Sequence, residues 1–111
     1  MAKRILFDKF EAAILLDYYI KCNDGKISKE TAIETVSKKL RKIAENRGIK
    51  IDDNFRTFAG IKFQMMSMES AYKGFTIVKP ASKLFSETVK MFIENRNQFN
   101  DILKQADEMA K

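Results

Sequence analysis

Eight cations crowd the stretch from Lys38 to Lys62, and no other feature of the sequence is as well equipped to act on a ligand. Ammonium and guanidinium groups set this close displace counterions from a phosphate backbone, which gives affinity for a polynucleotide without contact to any base. Gln64 follows with a carboxamide that can bond an adenine edge at two points. Lys38, Lys39, Lys42, Arg47, Lys50, Arg56, Lys62 and Gln64 are therefore the candidate nucleic-acid-binding residues. A solvated helix face is the competing reading, because lysines populate ordinary protein surfaces. Arg56 has two outlets, a phosphate or one of the neighbouring carboxylates Asp52 and Asp53.

Other chemistries have little to stand on. The chain has no histidine, which removes the usual general base, the Ser-His and Cys-His pairs and the commonest metal ligand. Cys22 is the one cysteine, so neither an intramolecular disulfide nor a multi-thiolate zinc site can form; it reads as a small buried apolar group. Asp52, Asp53 and Glu69 come nearest to a hard-cation site for nuclease chemistry, but two carboxylates in a turn more often cap or solvate it. The glycines are isolated and build no phosphate loop. No catalytic residue, metal or cofactor is expected, and the chain reads as non-enzymatic. Met65, Met66 and Met68 read as core filler. Phe58 and Phe75 fall in expected loops, where a phenylalanine is a candidate for base stacking.

The charge is local rather than global. Over 111 residues the formal net charge is +6, with a pI near 9.5. From residue 38 to 83 there are eleven basic side chains against four acidic ones, while the first third is balanced and the end slightly acidic. All the surplus lies in the middle. An apolar content of 45% suffices for one domain with a single core. Ile5-Leu6-Phe7 is too short for a signal peptide, and Ala12 to Leu16 is far too short to span a membrane. A cytoplasmic location with no membrane partner is expected.

Helices must position these groups, since one proline and four glycines leave long uninterrupted stretches. A broad apolar face predicts a central helix from about Asp8 to Lys21, ended by Asn23-Asp24-Gly25. Ser28 is the expected N-cap of a second helix running to about Asn46 on Ile33, Val36, Leu40 and Ile43, with Gly48 just past its end. Residues 49–59 read as a connector. A shorter helix from about Gly60 to Tyr72 uses Ile61, Met65 and Met68, and Gly74 stops it. Ser82 opens the last helical region, broken near Asn95-Arg96-Asn97 before Phe99, Ile102, Leu103 and Ala106. The expected fold is all-α: a single compact domain of about five helices over residues 1–111. A short two-stranded ribbon of 49–51 with 75–78 is an allowed addition.

The stretch Phe55-Arg56-Thr57-Phe58-Ala59-Gly60-Ile61-Lys62-Phe63-Gln64-Met65 resembles a segment of the N-terminal helical domain attached to restriction-type HNH endonucleases and some bacterial defence helicases. Ser82-Lys83-Leu84-Phe85 and the Phe99 to Ala106 segment look similar as well, so the likeness covers roughly residues 8–106. The resemblance implies an accessory module of DNA-acting enzymes, with Arg56, Gly60, Lys62 and Gln64 matching its motif. It implies no nuclease activity, since an HNH centre needs histidines. Read physically, Gly60 offers a tight turn into its helix.

The first functional expectation is a module binding duplex DNA, in preference to RNA, through the basic helix-connector-helix segment, in a restriction or anti-phage defence setting. The alternative is a protein-interaction module or small phage or bacterial regulator whose exposed Phe and Met side chains engage a partner. Homodimerisation through the last helix is compatible with both.

Overall fold

The computed structural model describes residues 7–74 and 83–111. Its elements are α1 (Lys9–Asn23), α2 (Lys29–Asn46), α3 (Phe58–Lys73), α4 (Lys83–Glu94) and α5 (Arg96–Met109), with no strand among the described residues. The all-α expectation holds. Residues 49–51 are irregular, and the other half of the expected ribbon, with Phe75 and the Ser82 helix start, lies outside the described residues.

The helices begin where side chains can satisfy free amides. Asp8 caps α1, its carboxylate accepting from the amides of Phe10 and Glu11 while Glu11 Oε1 accepts from the Asp8 amide in return. Ser28 caps α2 by accepting the Thr31 N–H at 3.2 Å, and Asn95 Oδ1 accepts the Gln98 N–H at 3.3 Å to start α5. The α3 boundary differs from the sequence expectation. Thr57 Oγ1 accepts the Gly60 N–H at 3.2 Å, so the helix starts at Phe58 rather than Gly60. Phe58 is thus helical rather than in a loop, and Gly60 lies inside the first turn. A Cβ on Gly60 would sit 3.3 Å from the Thr57 hydroxyl, so glycine leaves room for the cap. Gly74 ends α3 in the left-handed conformation, φ 69°.

Helix α1 is the hub. Ala12, Ala13, Ile14, Leu15 and Leu16 are consecutive and fully buried, which an α-helix achieves only when neighbours surround it. It touches all four other helices. They contribute Ile33, Val36, Leu40 and Ile43 from α2, Ile61, Met65 and Met68 from α3, Phe85 and Val89 from α4, and Phe99, Ile102 and Ala106 from α5. Tyr19 is buried against Tyr72, ring centroids 5.5 Å apart, whereas its neighbour Tyr18 is half-buried. No described helix is long and apolar enough to cross a membrane.

Candidate interaction surface

Packing divides the expected cation cluster into engaged and free members. Arg56 is engaged most deeply: its guanidinium holds Glu11 of α1 and stacks 4.1 Å from the Phe7 ring centroid and 4.6 Å from that of Phe55. With only 11% of its side chain exposed, it has no outlet to a phosphate. Nor does it pair with Asp52 or Asp53. Asp52 instead accepts the Asn54 N–H at 2.9 Å and closes its own turn. The Arg56 backbone is left-handed at φ 49°, and its carbonyl accepts the Ser37 hydroxyl at 2.5 Å. Arg41 donates to the neighbouring carbonyl of Phe55. Two α2 side chains thus clamp the connector at the point where its backbone is strained.

Carboxylates from the ends of the chain engage two more. Arg47 meets Asp8 at 2.5 Å, and Lys39 meets Asp107 of α5 at 2.9 Å while lying over the Tyr18 ring. Burial works to lower the Lys39 pKa, but hydrogen bonds with Asp107 and Tyr18 outweigh it and hold the ammonium above its ordinary value. Lys42 lies 4.0 Å from Glu45 on the open side of α2. Lys38, Lys50 and Lys62 are exposed and have no charged partner among the described residues. The outward side of α2 is mixed in sign, since exposed Glu34 stands one turn from Lys38 and Glu45 stands beside Lys42. Gln64 is half-buried on α3. The cluster that looks continuous in sequence therefore divides into three exposed lysines with no charged partner among the described residues and a set of cations held by carboxylates.

Helix α3 carries a second feature, which its sequence half conceals. Ile61, Met65 and Met68 face the core. On the opposite side Phe63 is 67% exposed and Met66 52%, with Phe58 40% exposed at the helix start. Ala59, Phe63 and Met66 follow one another at positions i, i+4 and i+7, which lines them along one strip. Lys62 stands one turn from both Phe58 and Met66. The methionines read as uniform core filler thus divide, with Met66 facing outward. The signal in the sequence was an apolar strip on each side of one helix, the pattern of an element that packs twice.

Beside Met66 a cleft of about 250 Å³ opens between α1 and α3, lined also by Tyr19, Cys22, Asn23, Lys29, Met65 and Glu69. The Tyr19 hydroxyl is buried and has no hydrogen-bond partner among the described residues. Burial pushes its pKa up to about 12, with Glu69, Tyr72 and Cys22 adding to the shift. Glu69 lies 3.8 Å from Lys73. Among the described residues no three His, Cys, Asp or Glu side chains converge to hold a metal ion.

The chain matches no family model, no curated protein and no solved structure.

Proposed function

We propose that this chain is a non-catalytic docking module that presents the outward strip of α3 to a protein partner. The exposure of Phe63 and Met66 opposite a buried strip on the same helix carries this reading. The exposed parts of these apolar side chains add nothing to this chain's own core, whereas burying them against a partner yields roughly 25 cal/mol per Å². The distribution of cations points the same way, because Arg47, Arg56 and Lys39 already face carboxylates. The resemblance to accessory domains of restriction and defence enzymes fits a part that docks rather than cuts. A photo-crosslinking side chain at position 63, compared with one at Gln105 on α5, tests it in cells. A discrete adduct at 63, absent at 105 and lost in Met66→Ser, is expected. Equal labelling at both positions refutes the docking strip.

A second reading, duplex DNA as ligand, is favoured by Lys38, Lys50 and Lys62, which are exposed and have no charged partner among the described residues. Phosphate contacts from three lysines position a module without specifying a sequence.

A further inference from the structure

We infer that the segment docking on α3 is a short amphipathic helix with acidic flanks and one bulky apolar anchor, the anchor entering the cleft beside Met66. This rests on the docking reading above and adds the chemistry of the occupant.

Size comes first. At about 250 Å³ the cleft is smaller than most small-molecule sites, roughly 300–1,000 Å³, and suits a single large side chain. Its apolar walls are Met65, Met66 and the Tyr19 ring. Met66 belongs to both the cleft and the exposed strip, so a segment lying along Phe63 and Met66 passes directly over the opening. Thioether walls adapt to the shape of an anchor without rigid fit. An apolar row at i, i+4 and i+7 is the complement a helical ligand offers.

Charge then selects the partner's flanks. Lys62 borders the strip and Lys29 borders the cleft; both are exposed, and neither has a charged partner among the described residues. Glu69, the one carboxylate lining the cleft, is offset by Lys73 at 3.8 Å. The rim is therefore cationic, and Asp or Glu on either side of the anchor would complete it. A second copy of this chain fits poorly. A two-fold contact centred on the strip sets Lys62 near its own image, a like-charge juxtaposition that an acidic partner avoids.

The test titrates the full chain with two end-blocked fluorescent helical peptides. Both carry leucines at i, i+4 and i+7; one has Glu flanks and its twin has Lys flanks. The acidic peptide should bind about tenfold or more tightly than its twin at low salt, with the preference shrinking as salt rises. The exposed-site variant K29E/K62E should invert the preference, and Phe63→Ser should lose both peptides while melting at the native temperature. Equal binding of the twins, or no inversion, overturns the acidic-partner inference and leaves docking on α3 intact. Unchanged binding in Phe63→Ser, or no binding of either peptide, overturns the strip itself. Self-association that Phe63→Ser abolishes would assign the strip to a second copy and overturn the inference.

Discussion

Arg56 reaches across the molecule to grip Glu11 with two hydrogen bonds, Nε to Oε2 at 2.9 Å and Nη2 to Oε1 at 3.3 Å. Both side chains are almost entirely buried, and the contact ties the connector before α3 to the start of the central helix. A buried pair is not in itself a strong stabiliser, yet removing one member leaves a charge with no water to replace its partner. Glu11→Ala should therefore cost about 3–5 kcal/mol in urea unfolding at neutral pH. Arg56→Lys should retain little of the contact, because an ammonium cannot reproduce the forked geometry. A loss below about 1 kcal/mol in Glu11→Ala would show that solvent reaches the guanidinium and that the pair is incidental.

Burial raises the Glu11 pKa above its ordinary value of 4.5, and the opposing hydrogen bond and charge of Arg56 do not overcome it. The folded chain thus holds this proton more tightly than the unfolded chain does. The extra stability that the raised pKa supplies, beyond the pairing with Arg56 that persists at neutral pH, is complete below pH 4.5 and is lost as pH rises through the elevated folded value. The difference in unfolding free energy between the native chain and Glu11→Gln should fall as pH is raised from about 4 to about 7. Parallel urea titrations across that range measure it. A difference that grows with pH would mean that Arg56 dominates and that the carboxylate is favoured in its ionised form.

Asp8 does two jobs with two oxygens. Oδ1 accepts the amides of Phe10 and Glu11 at 3.0 and 2.9 Å, while Oδ2 meets Arg47 at 2.5 Å. Asp8→Asn retains an oxygen for the cap and should cost only about 0.5 kcal/mol, since the ion pair is about a third exposed and screened. Asp8→Ala removes the cap as well and should cost about 1–2 kcal/mol. Thermal melts of the two variants separate the effects. Equal losses would place the importance of Asp8 in its pairing with Arg47.

Helix start and stop signals were legible wherever they are local. Ser28 and the turn after Asn46 locate α2, and Asn95 marks the break between α4 and α5, because each acts on amides or carbonyls within a turn of itself. Thr57 was local too, but Gly60 drew the boundary toward itself although it sits in ordinary helix. The partners of the cations were not legible. Asp8, Glu11 and Asp107 come from the two ends of the chain, and no periodicity encodes which carboxylate a distant arginine meets after packing. A basic run in sequence therefore overstated the basic surface. The outward strip of α3 was half visible, since Met66 was read with Met65 and Met68 as core filler although it faces outward.

The two sides of α3 should separate folding from docking. Ile61 is fully buried, so Ile61→Ala should cost about 2–5 kcal/mol from lost transfer energy and the cavity left behind. Phe63→Ser, at a position 67% exposed, should change stability by no more than about 0.5 kcal/mol. Chemical unfolding of both variants checks this. If Phe63→Ser destabilises as much as Ile61→Ala, the outward strip packs within this chain and is not open to a partner.

Salt dependence distinguishes a phosphate ligand from a protein one. Each phosphate neutralised contributes about −0.9 to the slope of log affinity against log salt, so contacts confined to Lys38, Lys50 and Lys62 give a slope near about −3. Recruiting all seven cations named as candidate nucleic-acid-binding residues would give about −6. The paired geometry forbids the steeper value, because freeing Arg56 would strand Glu11 in the interior and freeing Arg47 or Lys39 would release Asp8 or Asp107 to repel the duplex. Titration of fluorescent duplex DNA across a salt series should thus give weak binding with the shallow slope, removed by neutralising the three free lysines and unaffected by Phe63→Ser. A slope near −6 would mean that the engaged cations do reach phosphate and that duplex DNA, rather than a protein helix, is the main ligand.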